Sequence, residues 1–167
     1  KGGNFRKWYG NHEYVVDWEN DGYRMKYDNY SGNRVKSHNY NGELSFRRGI
    51  TWSSITPSAF SSRYSPRGFL FDSAGPFLNV YDENNLYLVL GYILSKVSGI
   101  YLEVLNPTIN MPPGCLESLP FIEENTILNK PEIDSLVQEN INISKIDWDS
   151  FETSWDFQIH PLLDEIK

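Results

Sequence analysis

The chain has 167 residues, which is enough for one hydrophobic core or for one domain with an extension. It contains a single cysteine, Cys115, which excludes an internal disulfide and favours a reducing, cytoplasmic compartment. Its three histidines lie far apart in the sequence, so no Cys/His cluster predicts a metal site. The first residue is Lys1 rather than Met, and we expect the chain to be cut from a longer protein.

The net charge of −7 is divided unequally along the sequence. Residues 1–68 contain eleven Lys and Arg against six Asp and Glu, whereas residues 69–167 contain four against sixteen. A basic half is typical of a protein with a surface that binds a polyanion. Ordinary solvated charge on two unlike subdomains explains the same division equally well.

The first thirty residues are predicted to form strands joined by a tight turn. Two β-prone runs, residues 14–16 and 23–27, flank the sequence ENDG at residues 19–22. Asp-Gly between such runs predicts a β-hairpin. In the second run Arg24 and Lys26 share one face, which fits either phosphate contact or an ordinary solvated surface.

A polar stretch at residues 29–42 predicts a long loop, and short strands are predicted beyond it. The predicted strands are residues 44–46, 50–52, 69–71 and 77–80. Arg, Ser, Thr and aromatic residues alternate between them. Arg and hydroxyl groups bind phosphate, and rings contact sugars or bases, so this composition suits a nucleic-acid surface. A polar sheet surface with its aromatic residues turned inward is the alternative.

Residues 86–107 form the most apolar stretch and predict one long buried helix. Its apolar positions recur at steps of three and four residues: Leu86, Leu90, Ile93, Val97, Ile100 or Tyr101, and Val104. Asp82 or Asn84 is placed to cap the start of this helix, and Pro107 cannot continue it.

Polar residues inside this stretch, among them Ser95, Lys96 and Glu103, argue against a membrane span. Gly91, Ser95 and Gly99 form a stripe of small residues instead. We expect another element to approach the helix closely along this stripe.

The C-terminal part of the chain is acidic and helical in pattern. A Pro-rich connector at residues 110–120 precedes it, and Pro131 opens an amphipathic segment. Large rings such as Trp148 and Trp155 stand among carboxylates further on. We expect residues 130–167 to form a helical extension that packs on the body or on the rest of a longer polypeptide.

The sequence contains no recognisable catalytic pattern. It has no phosphate-binding glycine loop and no nucleophile elbow, and its scattered histidines give no triad. Cys115 has no base near it in sequence and is expected to be a packed side chain. We therefore expect the chain itself to be non-catalytic.

Several strings are more specific than composition. They are KGG at residues 1–3, FRKWYGN at 5–11, RGITWS at 48–53, SSRYSPRGFLF at 61–71, LGYILSK at 90–96, LNPT at 105–108 and DWDSFETSWDF at 147–157. Together they resemble the adenine-specific DNA methyltransferases of the bacterial BREX phage-defence systems, the family called PglX. The Leu/Ser-Lys and Asn-Pro-Thr elements are also similar to specificity domains of type I and combined restriction-modification enzymes. The string NMPPG at residues 110–114 departs from that pattern.

The resemblance implies that different parts of such an enzyme bind the cofactor and recognise the DNA site. In that family an N-terminal domain binds S-adenosylmethionine, flips an adenine into an Asn-Pro-Pro-Tyr pocket and methylates its N6. Here the nearest string is Asn106-Pro107-Thr108, without the second Pro or the Tyr, so catalysis and the cofactor are not carried over. The chain matches the downstream target-recognition region instead. The implied partners are double-stranded DNA, the methyltransferase domain and other defence-system proteins.

Under this reading, cations and loop residues of the first half are candidates for DNA contact. We expect phosphate contacts from Lys7, Arg24, Lys26 and Arg48. We expect base readout from Arg34, Lys36, Arg63 and Tyr64. Trp8, Tyr9 and Trp52 are equally suited to packing and to DNA contact.

The predicted fold is α+β: a twisted, mainly antiparallel sheet braced by the long helix and followed by the helical extension. Residues 1–120 are expected to form the recognition domain and residues 121–167 the extension. A carbohydrate-binding module is an alternative, because 15% of the residues are aromatic. A protein-interaction scaffold of the defence complex is another, with the acidic helices docking a partner.

Overall fold

A three-stranded antiparallel sheet and several helices, of which Leu86–Ile93 packs on the sheet, make this an α+β protein. We describe it from a computed structural model, which covers residues 2–27, 42–56, 59–121 and 127–164. The helices are α1 (Glu19–Lys26), α2 (Leu86–Ile93), α3 (Lys96–Leu105), α4 (Pro113–Glu117), α5 (Lys130–Asp149) and α6 (Pro161–Asp164). The strands are β1 (Gly49–Trp52), β2 (Ser62–Ser65) and β3 (Phe77–Leu78). Single turns of 3₁₀ helix precede α2 and α5.

The sheet has the order β2-β1-β3, with both pairs antiparallel. Successive side chains of a strand point to opposite faces, so Ile50 and Trp52 share one face and Thr51 takes the other. Ile50 and Trp52 are fully buried in the core, and the Trp52 indole N–H donates to the carbonyl of Met111 at 2.9 Å. The predicted antiparallel sheet is confirmed.

Two of the predicted strands are wrong. Residues 44–46 form a turn, because Phe46 adopts a φ of 66°, which ends any extended run. Residues 69–71 have no regular structure. The polar string Ser62–Ser65 is a strand instead. It is stabilised from the N-terminal segment, where the Trp8 amide donates to the Ser62 carbonyl at 3.0 Å and the Tyr64 amide donates to the Trp8 carbonyl at 2.8 Å.

The predicted N-terminal hairpin is also wrong, although its turn residues do turn the chain. Asn20, Asp21 and Gly22 have φ values of 50°, 59° and 68°, the left-handed region that Asn, Asp and Gly tolerate best. The flanking runs do not pair across this turn, and residues Glu19–Lys26 form α1, which is kinked at these three left-handed residues. Gly22 lies against the Trp18 ring, where a β-carbon would come within 2.8 Å of the indole.

The predicted long helix is broken into α2 and α3, which are bent by 73°. Ser95 has an extended ψ of 158°, and its hydroxyl accepts from the Ser98 amide at 3.1 Å, so it acts as the N-cap of a new helix. Asp82 caps the 3₁₀ turn before α2 by accepting from the Asn84 amide at 3.0 Å, whereas α2 itself has no side-chain cap at its N-cap residue, Asn85. Within the described ranges no single helix is long and apolar enough to cross a membrane. The bent pair satisfies that criterion only when its two halves are counted together.

The bend changes which apolar residues are buried. Leu86, Leu90 and Ile93 enter the core as predicted, but the predicted continuation of that stripe on α3 is exposed. The exposed residues are Val97, Ile100, Tyr101 and Val104. Ser98 and Leu102 are buried in their place.

Helix α5 packs along α2 and belongs to the same core. Val137, Ile141 and Trp148 are its buried residues, and Val137 lies next to Gly91 of α2. The predicted close approach is therefore confirmed at Gly91. At Gly99 it is wrong, because nothing lies within 4 Å of where its β-carbon would be.

Candidate nucleic-acid interface

The residues predicted to contact phosphate do not form one uniform basic surface. Lys7 is exposed, and Arg24 is exposed with only a long 3.4 Å ion pair to Asp17. Surface pairs of this kind contribute about 0–1 kcal/mol, so both cations can turn toward a phosphate at little cost.

The other two predicted phosphate contacts are engaged inside the protein. The Lys26 ammonium lies 2.6 Å from an Asp21 carboxylate oxygen and 5.1 Å from the centre of the Trp18 ring. Arg48 lies 2.6 Å from a Glu83 carboxylate oxygen, and Arg67 binds the same carboxylate at 3.1 Å. The two arginines hold the pKa of Glu83 below its ordinary value.

The four residues predicted to read bases fall into two groups. Arg34 and Lys36 lie outside the described residues. Arg63 and Tyr64 are neighbours on β2 and therefore point to opposite faces of the sheet. Tyr64 packs toward Tyr87 on the core face, and burial raises the pKa of its phenol. Arg63 has no exposed surface and points to the face away from the core.

That second face of the sheet forms the floor of a cavity, which we call the Arg63 cavity. Its volume is about 870 Å³, within the range typical of small-molecule sites. Thr51, Arg63 and Ser65 belong to the floor. The walls come from residues 9–18, 68–73 and 148–156.

The Arg63 cavity is lined largely by aromatic side chains. His12 packs on Phe69 with ring centres 4.3 Å apart and ring planes tilted by 36°, and Tyr9 meets His12 edge-on at 4.9 Å. Trp148 and Trp155 form part of the opposite wall. Trp148 is buried and Trp155 is mostly exposed, so the wall runs from the core to the protein surface.

Two distant parts of the sequence close this cavity together. The Arg6 guanidinium lies 2.5 Å from an Asp147 carboxylate oxygen and 5.0 Å from the centre of the Trp148 ring. The Trp155 indole N–H donates to the Glu13 carbonyl at 3.3 Å. The strings FRKWYGN and DWDSFETSWDF, which the sequence marked separately, are thus brought into contact.

Charges of both signs lie around the Arg63 cavity, since Asp72 and Asp156 line it together with Arg63. Burial, reinforced by the charge of Arg6, lowers the pKa of Arg63 to about 10, so Arg63 stays charged at neutral pH. Burial and then the charge of Arg63 lower the pKa of His12 to about 4, so His12 is neutral there. Burial alone would lower the pKa of Lys145, but its hydrogen bonds to Asp149 and Asp156 raise it overall.

The sequence predicted Arg63 as a residue for base contact, but it predicted neither the cavity nor any role for His12. Strand alternation separates Arg63 from Tyr64, but only the assembled structure shows which face is covered and by what. Among the residues that the structure describes, no group of three His, Cys, Asp or Glu could hold a metal ion. The geometry defines an α+β module with an aromatic cavity built around one buried cation.

Comparison with known proteins shows what this chain is similar to. No family model matches the chain. It is 43% identical over 168 residues to the adenine-specific methyltransferase PglX of Lacticaseibacillus casei (strain Zhang). It is 36% identical over 166 residues to the adenine-specific methyltransferase BrxX of Escherichia coli O9:H4 (strain HS). These matches cover 99% and 98% of the chain but only 14% and 13% of the two relatives.

Proposed function

We propose that this chain is the DNA sequence-recognition module of a site-specific adenine-N6 DNA methyltransferase in a bacterial phage-defence system of the BREX type. One observation carries the proposal: nearly the whole chain is similar to about one seventh of two adenine-specific methyltransferases. The chain has no Asn-Pro-Pro-Tyr string, so the part of such an enzyme that it matches is not the part that holds the target adenine. The strings that resemble the PglX family imply the region that chooses the DNA site, and base contacts are what such a choice requires.

The proposed partners follow from that role. Double-stranded DNA is the ligand, and a methyltransferase domain elsewhere in a longer, cytoplasmic protein supplies the chemistry, together with other proteins of the defence system. That domain would hold S-adenosylmethionine, the methyl donor. Within the described residues the named strands pair in antiparallel fashion, and we expect the cofactor site to lie in that other domain.

The side chains suited to phosphate contact in this role are Lys7 and Arg24, because both are exposed and at most loosely paired. Phosphate contacts fix position on the duplex and are independent of sequence. Site choice then rests on other groups of the same chain.

A segment swap tests the proposal. The full-length protein carrying this chain is expressed in a host without other adenine methylation, and methylated adenines are mapped by single-molecule sequencing. The 167 residues are then replaced by the matching segment of the Escherichia coli relative, which is 36% identical and so compatible in fold. We expect the methylated sequence to change to that of the donor.

Two further variants keep the test informative if the swapped protein fails to fold. Lys7→Gln and Arg24→Gln should leave the methylated sequence unchanged and weaken DNA binding. Each lost phosphate contact should reduce the slope of log affinity against log salt by about one. If the swapped enzyme is active and still methylates its original sequence, the recognition role is refuted.

A further inference from the structure

Helix α3 carries an apolar face that the core of this chain does not use. Four of its apolar residues recur at steps of three and four positions, so they lie along one side of the helix. We call them the α3 stripe: Val97, Ile100, Tyr101 and Val104. Between 45% and 77% of each is exposed. Ser98 and Leu102 turn a different side of the helix to the core, so α3 is held in place without the stripe.

The α3 stripe is free of charge over the whole length of the helix. Lys96 and Glu103 are the charged residues of α3. They are seven positions apart, so they lie one above the other beside the stripe and not within it. An uninterrupted apolar side is typical of a helix that packs against another element. An exposed patch of this kind marks a surface that a partner covers.

The size of the α3 stripe indicates which kind of partner suits it. Four such side chains expose on the order of a few hundred Å², whereas separate proteins that form a stable complex each bury roughly 800 Å². A domain joined to this chain by the same polypeptide is held at a high effective concentration and therefore docks through less area. The two methyltransferase relatives have such domains to offer, because this chain matches only 14% and 13% of their lengths.

We propose that the α3 stripe is the surface through which this module docks on the methyltransferase domain of the same polypeptide. The matching surface on that domain is an uncharged apolar groove that accepts one side of a helix. The inference rests on the proposed function, which supplies the second domain. It goes beyond that function by assigning the contact that fixes the recognition module relative to the catalytic site.

Docking through α3 is compatible with DNA contact elsewhere on the module. Helix α2, which leads into α3, packs on the core face of the sheet. Residues 9–18 form a wall of the Arg63 cavity on the opposite face. Lys7 and Arg24, the cations suited to phosphate contact, belong to this N-terminal part of the chain. The proposed docking surface and the proposed phosphate contacts are therefore formed by different parts of the module.

Two other occupants of an exposed apolar helix are a second copy of the chain and a lipid bilayer. A second copy is less suited because the area is small for two separate molecules. A bilayer is less suited because the net charge of −7 is repelled by an anionic membrane surface. Both are outcomes of the experiments below.

Hydrogen exchange of the α3 amides compares the free 167-residue chain with the full-length protein that carries it. Docking opposes local opening of a helix, and exchange reports that opening. We expect the α3 amides to exchange at least about tenfold more slowly in the full-length protein. Equal exchange in the two proteins would overturn the proposal.

Ile100→Glu, with Ile146→Glu as its matched control, tests the stripe itself. Both residues are helical and similarly exposed, at 64% and 72%, but Ile146 lies on α5 between Lys145 and Asp147. Neither substitution should shift the melting temperature of the free chain by more than a few degrees, because each replaces an exposed side chain. In the full-length protein we expect Ile100→Glu alone to restore the fast exchange of α3.

Methylation by the full-length protein supplies a second readout of the same pair. We expect Ile100→Glu to methylate the original sequence about tenfold or more slowly, because an undocked module no longer presents its DNA to the catalytic domain. Ile146→Glu should retain the rate. Val104→Thr is a milder variant that keeps the side-chain shape and adds a hydroxyl to the stripe, and it should lose rate in the same direction but less. A changed methylated sequence in Ile100→Glu would mean that the stripe reads DNA and would overturn the proposal.

Two measurements on the free chain separate the other occupants. Light scattering that shows a dimer for the wild type and a monomer for Ile100→Glu would assign the stripe to a second copy. Sedimentation with vesicles of phosphatidylcholine and phosphatidylglycerol that is lost in Ile100→Glu would assign it to a bilayer. Either result overturns the proposal. Slow α3 exchange in the full-length protein, combined with a segment swap that leaves the methylated sequence unchanged, would refute the recognition role and keep the docking surface.

Discussion

At the scale of single residues, protonation of His12 makes the free energy of unfolding depend on pH. The unfolded chain has an ordinary histidine pKa of 6.5, whereas burial and the charge of Arg63 lower the folded value to about 4. Between these pH values the unfolded chain binds a proton that the folded chain does not. The stabilisation is therefore complete above pH 6.5 and is lost as the pH falls toward 4. Its upper limit is about 3 kcal/mol.

Urea denaturation at several pH values between 7 and 5 measures this contribution. In that window we expect His12→Phe, which keeps a ring against Phe69, to remove most of the pH dependence of the free energy of unfolding. His160→Gln is the matched control, because His160 lies outside the cavity, just before α6, and the pH dependence should persist. Asp156 and Glu83 have lowered pKa values and act at more acidic pH, so they do not mask the effect. An unchanged slope in His12→Phe would contradict the assignment.

The sequence predicted Arg63 and Tyr64 as residues for base readout, but it did not predict that they lie on opposite faces of the sheet. The string SRYS has no hydrophobic pattern, so nothing local predicts a strand there. It becomes one because it pairs with β1 along one edge and with Trp8 along the other. Burial of Arg63 then depends on residues 148–156, which are almost a hundred positions away in the sequence.

At the scale of elements, the contact between α2 and α5 depends on a single small residue. A β-carbon at Gly91 would come within 2.9 Å of a Val137 methyl group, and Val has little rotamer freedom to withdraw. Gly99 on α3 faces open space. We expect Gly91→Leu to destabilise the fold by about 1–3 kcal/mol through overpacking. We expect Gly99→Leu to stabilise it by about 0.5–1 kcal/mol through helix propensity.

Chemical denaturation of the two variants provides the comparison. The substitution is the same in each case, so the difference between their unfolding free energies reports the contact between the helices rather than the side chain itself. Equal effects in Gly91→Leu and Gly99→Leu would show that α2 and α5 are not closely packed at this point.

The existence and type of the main helices follow from sequence, but their breaks do not. The apolar period of residues 86–107 predicts helix throughout, and most of that range is helical. The break at Ser95 arises because its hydroxyl can cap a new helix, and a serine inside an apolar run gives no sign of whether it does so. Because α2 and α3 are bent by 73°, extending the apolar period of α2 into α3 predicts the wrong residues to be buried.

At the scale of the whole molecule, the charge division seen along the sequence is not a division in space. Cations of the first half bind carboxylates of the second half: Arg6 binds Asp147, and Arg48 and Arg67 bind Glu83. These pairs neutralise part of the basic excess of residues 1–68. A DNA surface on this chain therefore has to rely on a few placed cations rather than on a broad positive field.

Contacts between the two halves of the sequence also predict that α5 is needed for folding of the rest. Val137, Ile141 and Trp148 of α5 are buried in the core shared with Ile50 and α2. Full burial of three such side chains contributes roughly 5–9 kcal/mol, comparable to the whole stability of a typical domain. A chain ending at residue 121 should therefore lose cooperative thermal unfolding and the near-ultraviolet circular dichroism of its packed tryptophans. A chain ending at residue 158, which lacks only the exposed α6 and its flanks, should keep both. Cooperative unfolding of the chain ending at residue 121 would instead establish residues 1–120 as a domain that folds alone, with α5 as an accessory that packs on it.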